Sequence, residues 1–281
     1  MLQADFYPKK RFGQSFLIDK NIVKKIIDVS ALTKDDVVLE IGPGKGMLTH
    51  QLAQKARKVI AVELDKKLFS NLTVDFHGLE NVLLFNQDIL KFDLKKVLKD
   101  VKIKNKVKIV ANIPYSITSA IFDYIFHHID SLDTVYVMVQ KEYAQRVVGA
   151  PNTANYSSLS CFVQYYTTPR ILFRVSARCF RPQPKVDSCF IELAPRLAKE
   201  ALTTKEREVL FMIIRSAFNQ RRKNIINALS SLLEKETAMH ILSKLALDYR
   251  LRAENLSLGD YILIAHELKN YFKQQDHKAI V

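Results

Sequence analysis

The sequence predicts an α/β protein with a Rossmann-like, doubly wound parallel sheet and a small all-helical domain at the C-terminal end. Between residues 35 and 146, β-branched apolar runs alternate with helical patterns, which is typical of strands joined by crossover helices. These runs consist mostly of apolar residues, as expected for strands buried on both faces of a parallel sheet. Beyond Pro195 the chain shows helical spacing only.

The predicted elements begin with a helix that Asp19 caps and that runs to about Ala31. Helical patterns such as Met47–Ala56 and Ser119–His128 then lie between strands. The five predicted strands of the parallel sheet are Val37–Ile41, Val59–Leu64, Val82–Phe85, Val107–Ala111 and Val135–Val139.

The alternation stops after Arg146. Three later segments are interpreted as strands of an antiparallel edge, namely Cys161–Thr167, Ile171–Val175 and Ser188–Leu193. Pro195 marks a boundary, so we predict a catalytic domain over residues 1–198, which includes a basic entry segment at 1–34, and a helical domain over residues 199–281.

The helical domain has a clear start signal. Thr203 and Glu206 form a capping-box pattern. Helices are expected after it at Ile225–Leu233, Thr237–Leu245 and Leu258–Tyr271.

The charge balance is strongly basic, with 43 Lys and Arg against 29 Asp and Glu and a net charge of +14. Such an excess favours a polyanionic partner, either nucleic acid or an anionic membrane surface. No stretch approaches the roughly 18 apolar residues of a membrane span, so no membrane association is expected.

The remaining composition favours a cytoplasmic protein. No secretory signal is expected, because charged residues from Asp5 to Arg11 interrupt any apolar run at the start. The three cysteines form no metal-ligand cluster and suit a reducing compartment. We therefore expect a cytoplasmic protein without a metal. A monomer is expected as well.

A glycine-rich turn, Glu40–Gly46, follows the first predicted strand. Gly42 and Gly44 allow the backbone to turn sharply and to approach a ligand closely, and the next helix offers free N–H groups. The turn alone is weak evidence, since a simple tight βα turn has the same composition.

Two carboxylates follow the next two strands. Glu63 ends the second strand, 21 residues after Gly42, where an acid can accept hydrogen bonds from ribose hydroxyls. Asp88 follows the third strand, where it can accept from an adenine amine. Together with the glycine turn they predict an adenosine-containing cofactor, either a dinucleotide or S-adenosylmethionine.

The sequence Asn112-Ile113-Pro114-Tyr115 after the fourth strand favours S-adenosylmethionine. An adenine amine is a poor nucleophile because its lone pair is delocalised into the ring. The Asn112 amide oxygen and the Pro114 carbonyl can both accept from its N–H groups, and Tyr115 can stack on an extruded base.

These motifs resemble those of the S-adenosylmethionine-dependent small-subunit rRNA adenine dimethyltransferases. The resemblance covers nearly the whole chain. It includes the segments Arg11–Gln14, Glu40–Gly46, Asn112–Tyr115, Gln140–Glu142, Phe180–Ser188 and Ala217–Lys223.

The resemblance implies dimethylation of the N6 amines of two adjacent adenosines in the 3′-terminal hairpin loop of 16S rRNA, on RNA or the assembling small subunit. It implies a cofactor site of Ser15, Leu17, Gly42, Gly44, Glu63, Asp88 and Asn112, and a catalytic set of Asn112, Pro114, Tyr115 and Phe180. Ser15 stands where the family usually has Asn, and its side chain can still hydrogen-bond but has a shorter reach. RNA contacts are expected at Lys9, Lys10, Arg11, Arg221, Arg222 and Lys223.

Three alternatives stay open. A large-subunit rRNA adenine methyltransferase of the macrolide-resistance type shares the same core, although the basic segment at 221–223 argues against it. A protein-glutamine or DNA-adenine methyltransferase usually has Pro-Pro where this chain has Ile113-Pro114. A mainly non-catalytic ribosome-assembly factor is the third, and the intact Asn112–Tyr115 segment argues against it.

Overall fold

The computed structural model describes residues 15–196, 202–230 and 232–278 of the chain. The chain divides into two compact units. The sheet unit comprises the residues up to 144 and residues 168–195, and the helical unit comprises residues 145–167 and those from 196 onward.

The sheet unit contains the predicted doubly wound sheet. Its strands are β1 (Phe16–Leu17), β2 (Val37–Ile41), β3 (Lys58–Glu63), β4 (Val82–Asn86), β5 (Val107–Asn112), β6 (Leu132–Gln140), β7 (Thr167–Val175), β8 (Phe180–Arg181) and β9 (Ser188–Pro195). Seven of them form one sheet in the order β4-β3-β2-β5-β6-β9-β7, while β1 and β8 form a separate antiparallel pair. Neighbours from β4 to β6 run parallel and β9 is antiparallel to β6. The predicted fold class is confirmed.

Four of the six helices described in this unit connect parallel strands, while the first precedes β2 and the last follows β6. The six are α1 (Lys20–Val29), α2 (Met47–Lys55), α3 (Lys66–Asp75), α4 (Leu94–Asp100), α5 (Thr118–His127) and α6 (Lys141–Val147), of which α6 continues into the helical unit. The Asp19 carboxylate caps α1, as predicted, by accepting from the N–H groups of Asn21 and Ile22.

The strand order places the candidate site. All five residues of β2 are buried, and so is most of β3 and β5. Because β2, β3, β4 and β5 are parallel, the loops that follow them meet at one edge of the sheet, where ligands of open α/β sheets bind. The glycine turn, Glu63, Asp88 and Asn112 all lie at this edge.

The helical unit contains α7 (Ser158–Tyr166), α8 (Thr204–Asn219), α9 (Ile225–Leu229), α10 (Lys235–Lys244) and α11 (Leu258–Lys278). A single apolar cluster joins Tyr156 and Cys161 to residues of α8 to α11. The predicted capping box is present, because the Thr203 N–H and hydroxyl both donate to Glu206 and the Glu206 N–H donates to Thr203. Among the described helices none combines the length and apolar character that a membrane crossing requires.

The prediction of a strand at Cys161–Thr167 is wrong, because residues 158–166 form helix α7. The aromatic and β-branched residues there favour a strand locally. Ser157 and Ser160 instead form a capping box, and Cys161 is buried in the helical unit. The segment 145–167, placed in the catalytic domain by the sequence, accordingly packs with the helical unit.

Candidate active site

A pocket opens at the carboxyl edge of the parallel strands. Its walls come from β1, the glycine turn after β2, the ends of β3 and β4, and the segment after β5. It is lined by every residue predicted for the cofactor, namely Ser15, Leu17, Gly42, Gly44, Glu63, Asp88 and Asn112. The structure therefore gathers side chains that lie up to 97 residues apart in the chain.

The glycine turn needs its glycines for conformation and for space. Gly42, Gly44 and Gly46 have φ angles of +67°, +61° and +75°, in the left-handed region that side chains disfavour. A Cβ atom on Gly44 would lie 2.9 Å from the Phe16 ring. These residues therefore keep the backbone of the turn close to the pocket.

Glu63 is fixed by backbone donors. Its Oε2 accepts from the Gly44 N–H at 3.1 Å, and its Oε1 accepts from the Asp65 N–H at 2.8 Å. The side chain is only 6% exposed, and burial raises its pKa while these two N–H groups oppose the increase. The carboxylate thus links the glycine turn to the end of β3 and has lone pairs left for ligand hydroxyls.

Glu40, which the sequence interpretation assigned only to the turn motif, is a further pocket residue. It is 2% exposed, and its Oε2 has no hydrogen-bond partner among the described residues. Burial raises its pKa to about 8, the Thr49 hydroxyl opposes that increase and the Glu63 charge adds to it. The missed signal was a lone acid inside an otherwise apolar strand.

Asp88 lines the pocket just after the end of β4. It is half-buried and its Oδ1 accepts from the Leu90 N–H at 3.0 Å, so that it caps the short 3-10 helix Ile89–Lys91. The neighbouring Gln87 also lines the pocket.

Asn112 is oriented by the entry segment. Its Nδ2 donates to the Ser15 carbonyl at 3.0 Å, so its Oδ1 is the atom that can accept from a substrate. Ser15 therefore contributes its backbone to the site. The adjoining Leu17 is 7% exposed and pairs with Phe180 across β1 and β8.

The turn after Asn112 is closed by a hydrogen bond of its own backbone. The Pro114 carbonyl accepts from the Ile117 N–H at 3.3 Å and lies 3.5 Å from the Thr118 hydroxyl. The half-buried Tyr115 has its hydroxyl 2.5 Å from the Ser188 hydroxyl, and burial raises its pKa to about 12. Its ring is thus held by both ends, as an aromatic platform needs.

Phe180 is placed differently from its expected role at the target base. Its ring is fully buried and belongs to the apolar core that includes Leu17, Val175 and Phe190. A ring without exposed surface cannot stack on a base in this arrangement. Its visible contribution is to hold β1 against β8.

The expected RNA contacts fall into two groups. Lys9, Lys10 and Arg11 lie outside the described residues. In the helical unit, Arg221 forms an ion pair with Glu254 and donates to the Ala154 carbonyl at 3.3 Å. Arg222 and Lys223 are exposed, so these two are the cations of the segment that can reach phosphates.

Comparison with known proteins agrees with this geometry. The ribosomal RNA small subunit methyltransferase A of Lachnoclostridium phytofermentans is 41% identical over 266 residues, covering 92% of this chain and 91% of that protein. The protein of the same name from Alkaliphilus metalliredigens is 39% identical over 263 residues, with 92% and 91% coverage.

Two crystal structures resemble the fold over 90% of this chain. A dimethyladenosine transferase from Plasmodium falciparum has a TM-score of 0.78 at 25% identity, with 97% of its own chain covered. The 23S rRNA methyltransferase ErmE has a TM-score of 0.68 at 26% identity, with 99% covered. Residues 6–270 match the family described as ribosomal RNA adenine dimethylase. The chain belongs to the ribosomal RNA adenine dimethylase family.

Proposed function

We propose that this enzyme dimethylates the N6 amines of two adjacent adenosines in the 3′-terminal hairpin loop of 16S rRNA, with S-adenosylmethionine as methyl donor. The observation that supports this most strongly is the orientation of Asn112. Because its Nδ2 donates to the Ser15 carbonyl, its Oδ1 stays available to accept from an adenine amine. The enzyme would act as a monomer in the cytoplasm, with the assembling small subunit as its substrate.

The pocket residues suit the parts of S-adenosylmethionine, which supplies an electrophilic methyl group when bound. Glu63 suits the ribose hydroxyls and Asp88 the adenine amine, because both have free carboxylate lone pairs at the edge of the sheet. Glu40 suits the ammonium group of the methionine part, because its buried Oε2 lacks a partner among the described residues.

The chain's own contribution to the chemistry is positioning. Asn112 Oδ1 and the Pro114 carbonyl would accept from the two N–H groups of the amine and localise its lone pair. The Pro114 carbonyl would be shared with the Ile117 N–H. Tyr115 would stack on the flipped base, an interaction worth about 1–3 kcal/mol per base, and an unpaired base is the easiest to flip.

A transfer assay tests this function. Purified protein is incubated with labelled S-adenosylmethionine and either unmethylated small subunits or large subunits. We expect label in small-subunit rRNA only. Label in 23S rRNA would favour the macrolide-resistance type of activity, to which the ErmE fold is also similar. Tight binding without label would favour an assembly factor.

Glu40 should make cofactor binding depend on pH. The pKa of Glu40 is about 8 in the folded, ligand-free protein, against an ordinary value of 4.5. Between these two pH values the folded protein keeps the Glu40 proton that the unfolded chain has lost. The free energy of unfolding should therefore fall as pH rises from about 4.5 to about 8. Since an ammonium group requires the ionised acid, cofactor affinity should rise over the upper part of the same interval.

The matched variant is Glu40→Gln, which preserves shape and leaves Glu63 in place. Its cofactor affinity, measured by calorimetry at several pH values, should be weaker and nearly constant. A wild-type affinity that is equally constant would contradict the contact.

The exposed pair Arg222 and Lys223 should contact rRNA phosphates. We expect the double change Arg222→Glu and Lys223→Glu to weaken small-subunit binding and flatten its salt dependence, by about 0.7–0.9 in slope per lost phosphate contact, with cofactor affinity unchanged. Arg221→Gln is the comparison, because it breaks the ion pair with Glu254 and should affect stability more than the salt slope. Identical salt dependence of subunit binding for the wild type and the double variant would mean that Arg222 and Lys223 face solvent and do not contact rRNA.

A further inference from the structure

The sheet unit has a concentration of lysines away from the pocket. Residues 91–108 contain eight lysines and two aspartates, a net charge of +6. Residues 35–198 as a whole, with 22 basic and 16 acidic residues, also have a net charge of +6. One short segment therefore accounts for the entire basic excess of that region.

Seven of these side chains are exposed, and we call them the lysine face. They are Lys91, Lys95, Lys96, Lys99, Lys102, Lys104 and Lys106. Within the described ranges 15–196, 202–230 and 232–278, none of the seven forms an ion pair. The eighth, Lys108, is half-buried and lies 3.0 Å from Asp36. The exposed lysines therefore repel one another, which costs free energy for pairs such as Lys95 and Lys99 at helical spacing. The acids nearby are fewer, namely Asp93 and Asp100 of the same segment and Asp130 of the adjacent groove.

The backbone that presents the lysine face is fixed. The Ile103 N–H donates to the Leu98 carbonyl at 2.8 Å, and the Lys102 N–H donates to the Lys99 carbonyl at 3.1 Å, closing the end of α4. Lys102 has a φ of +55°, where glycine would be less strained. A groove beside this turn is lined by five of the lysines, with Leu98 and Ile103 among its other walls.

Most of the lysine face lies at the edge of the sheet opposite to the pocket. Lys91 lies nearer to the pocket, because its carbonyl accepts from the pocket residue Gln87 at 3.1 Å. Residues 101–106 precede β5, whereas Asn112 ends it. A strand of six residues spans about 20 Å at roughly 3.3 Å per residue. A partner bound at the lysine face is therefore a different segment from the one that places its base at Asn112.

The chemistry of the lysine face favours RNA phosphates. Lysine binds phosphate as a point charge, and the seven side chains include no ring that could stack on bases, which suits sequence-independent contacts. Insertion into a membrane is disfavoured, because the apolar residues Leu94 and Leu98 of α4 are buried and membrane-surface helices present an apolar face.

We propose that the lysine face binds the phosphate backbone of a second rRNA segment of the small subunit, separate from the hairpin that is methylated. This rests on the proposed function. The lysine face anchors the enzyme on the particle while the opposite edge of the sheet receives the target base. It should thus determine how tightly the subunit binds but not how fast a bound adenosine is methylated.

The test compares two variants of equal charge change. The face variant has Lys95, Lys99, Lys102 and Lys106 changed to Gln. The control variant has Lys24, Lys25, Lys34 and Lys55 changed to Gln, all exposed lysines of the same unit. Thermal unfolding and cofactor calorimetry establish that both are folded. Binding to unmethylated small subunits is then measured between 50 and 200 mM salt, together with KM and kcat.

For the face variant we expect the slope of log Kd against log salt to fall by about 2 to 3, with a higher KM and unchanged kcat, and we expect little change in the control. Equal slopes for wild type and face variant, or equal losses in both variants, would overturn the proposal. So would a face variant that loses binding only to phosphatidylserine-containing vesicles. Absence of methyl transfer by the wild type would overturn the proposed function instead, since the slopes are measured independently of turnover.

Discussion

Changing Asn112 to Ala is expected to reduce kcat by at least about 100-fold, the scale of loss seen when reacting groups are misplaced. The variant lacks the oxygen that would accept from the target amine, and no other side-chain amide lies in the turn from 112 to 115. Single-turnover methylation of small subunits with bound cofactor is the measurement, since it isolates the chemical step.

Two controls separate chemistry from folding in this experiment. Asn112→Ala also loses the hydrogen bond to the Ser15 carbonyl, so its thermal stability and subunit affinity must be compared with those of the wild type. Ser119→Ala, an exposed position of α5, should retain full turnover. Turnover near the wild-type rate in Asn112→Ala would mean that the chemistry takes place elsewhere.

Changing Glu63 to Ala is expected to weaken cofactor binding by about 10- to 100-fold, which corresponds to the 1.5–3 kcal/mol of a hydrogen bond to a charged group. The loss should exceed any effect on RNA binding, because Glu63 is buried at the end of β3 and lines the pocket. Calorimetry with S-adenosylmethionine measures it.

Glu63→Gln refines this result. Either change removes acceptors from the Gly44 and Asp65 N–H groups, but the amide keeps the shape and one oxygen, so its loss of affinity should be smaller than that of Glu63→Ala. Glu80→Ala, at an exposed position, is the control. Unchanged cofactor affinity in Glu63→Ala would mean that Glu63 does not bind the cofactor.

The sheet could be predicted because its signal is local. Mostly apolar runs, each interrupted by one charged residue, identified β2 and β5 within a residue of their bounds, since strands buried on both faces need largely apolar sequences. Helix α7 could not be predicted, because its aromatic residues favour a strand and the packing that overrides them involves α8 to α11. The pair of β1 and β8 joins residues 17 and 180, a contact that no local pattern indicates.

The site divides in the same way. The glycine turn, Glu63, Asp88 and Asn112 were predictable, because each follows a strand and parallel strands bring their ends together. The role of the Ser15 carbonyl depends on a contact across 97 residues, and the burial of Phe180 depends on the packing of β8 against β1. Both depend on tertiary contacts, which no local pattern indicates. Glu40 did have a local signal, a single acid in an otherwise apolar strand, but the sequence interpretation did not assign it to the site.

The most direct test of the central claim is mass spectrometry of the 3′ fragment of 16S rRNA from cells that lack the gene, before and after treatment of their small subunits with the purified protein and S-adenosylmethionine. The account predicts two adjacent unmodified adenosines before treatment and two N6,N6-dimethyladenosines after it, with no gain in the Asn112→Ala reaction. Adenosines that are already dimethylated in those cells, or methyl groups that appear elsewhere in the rRNA, would contradict it.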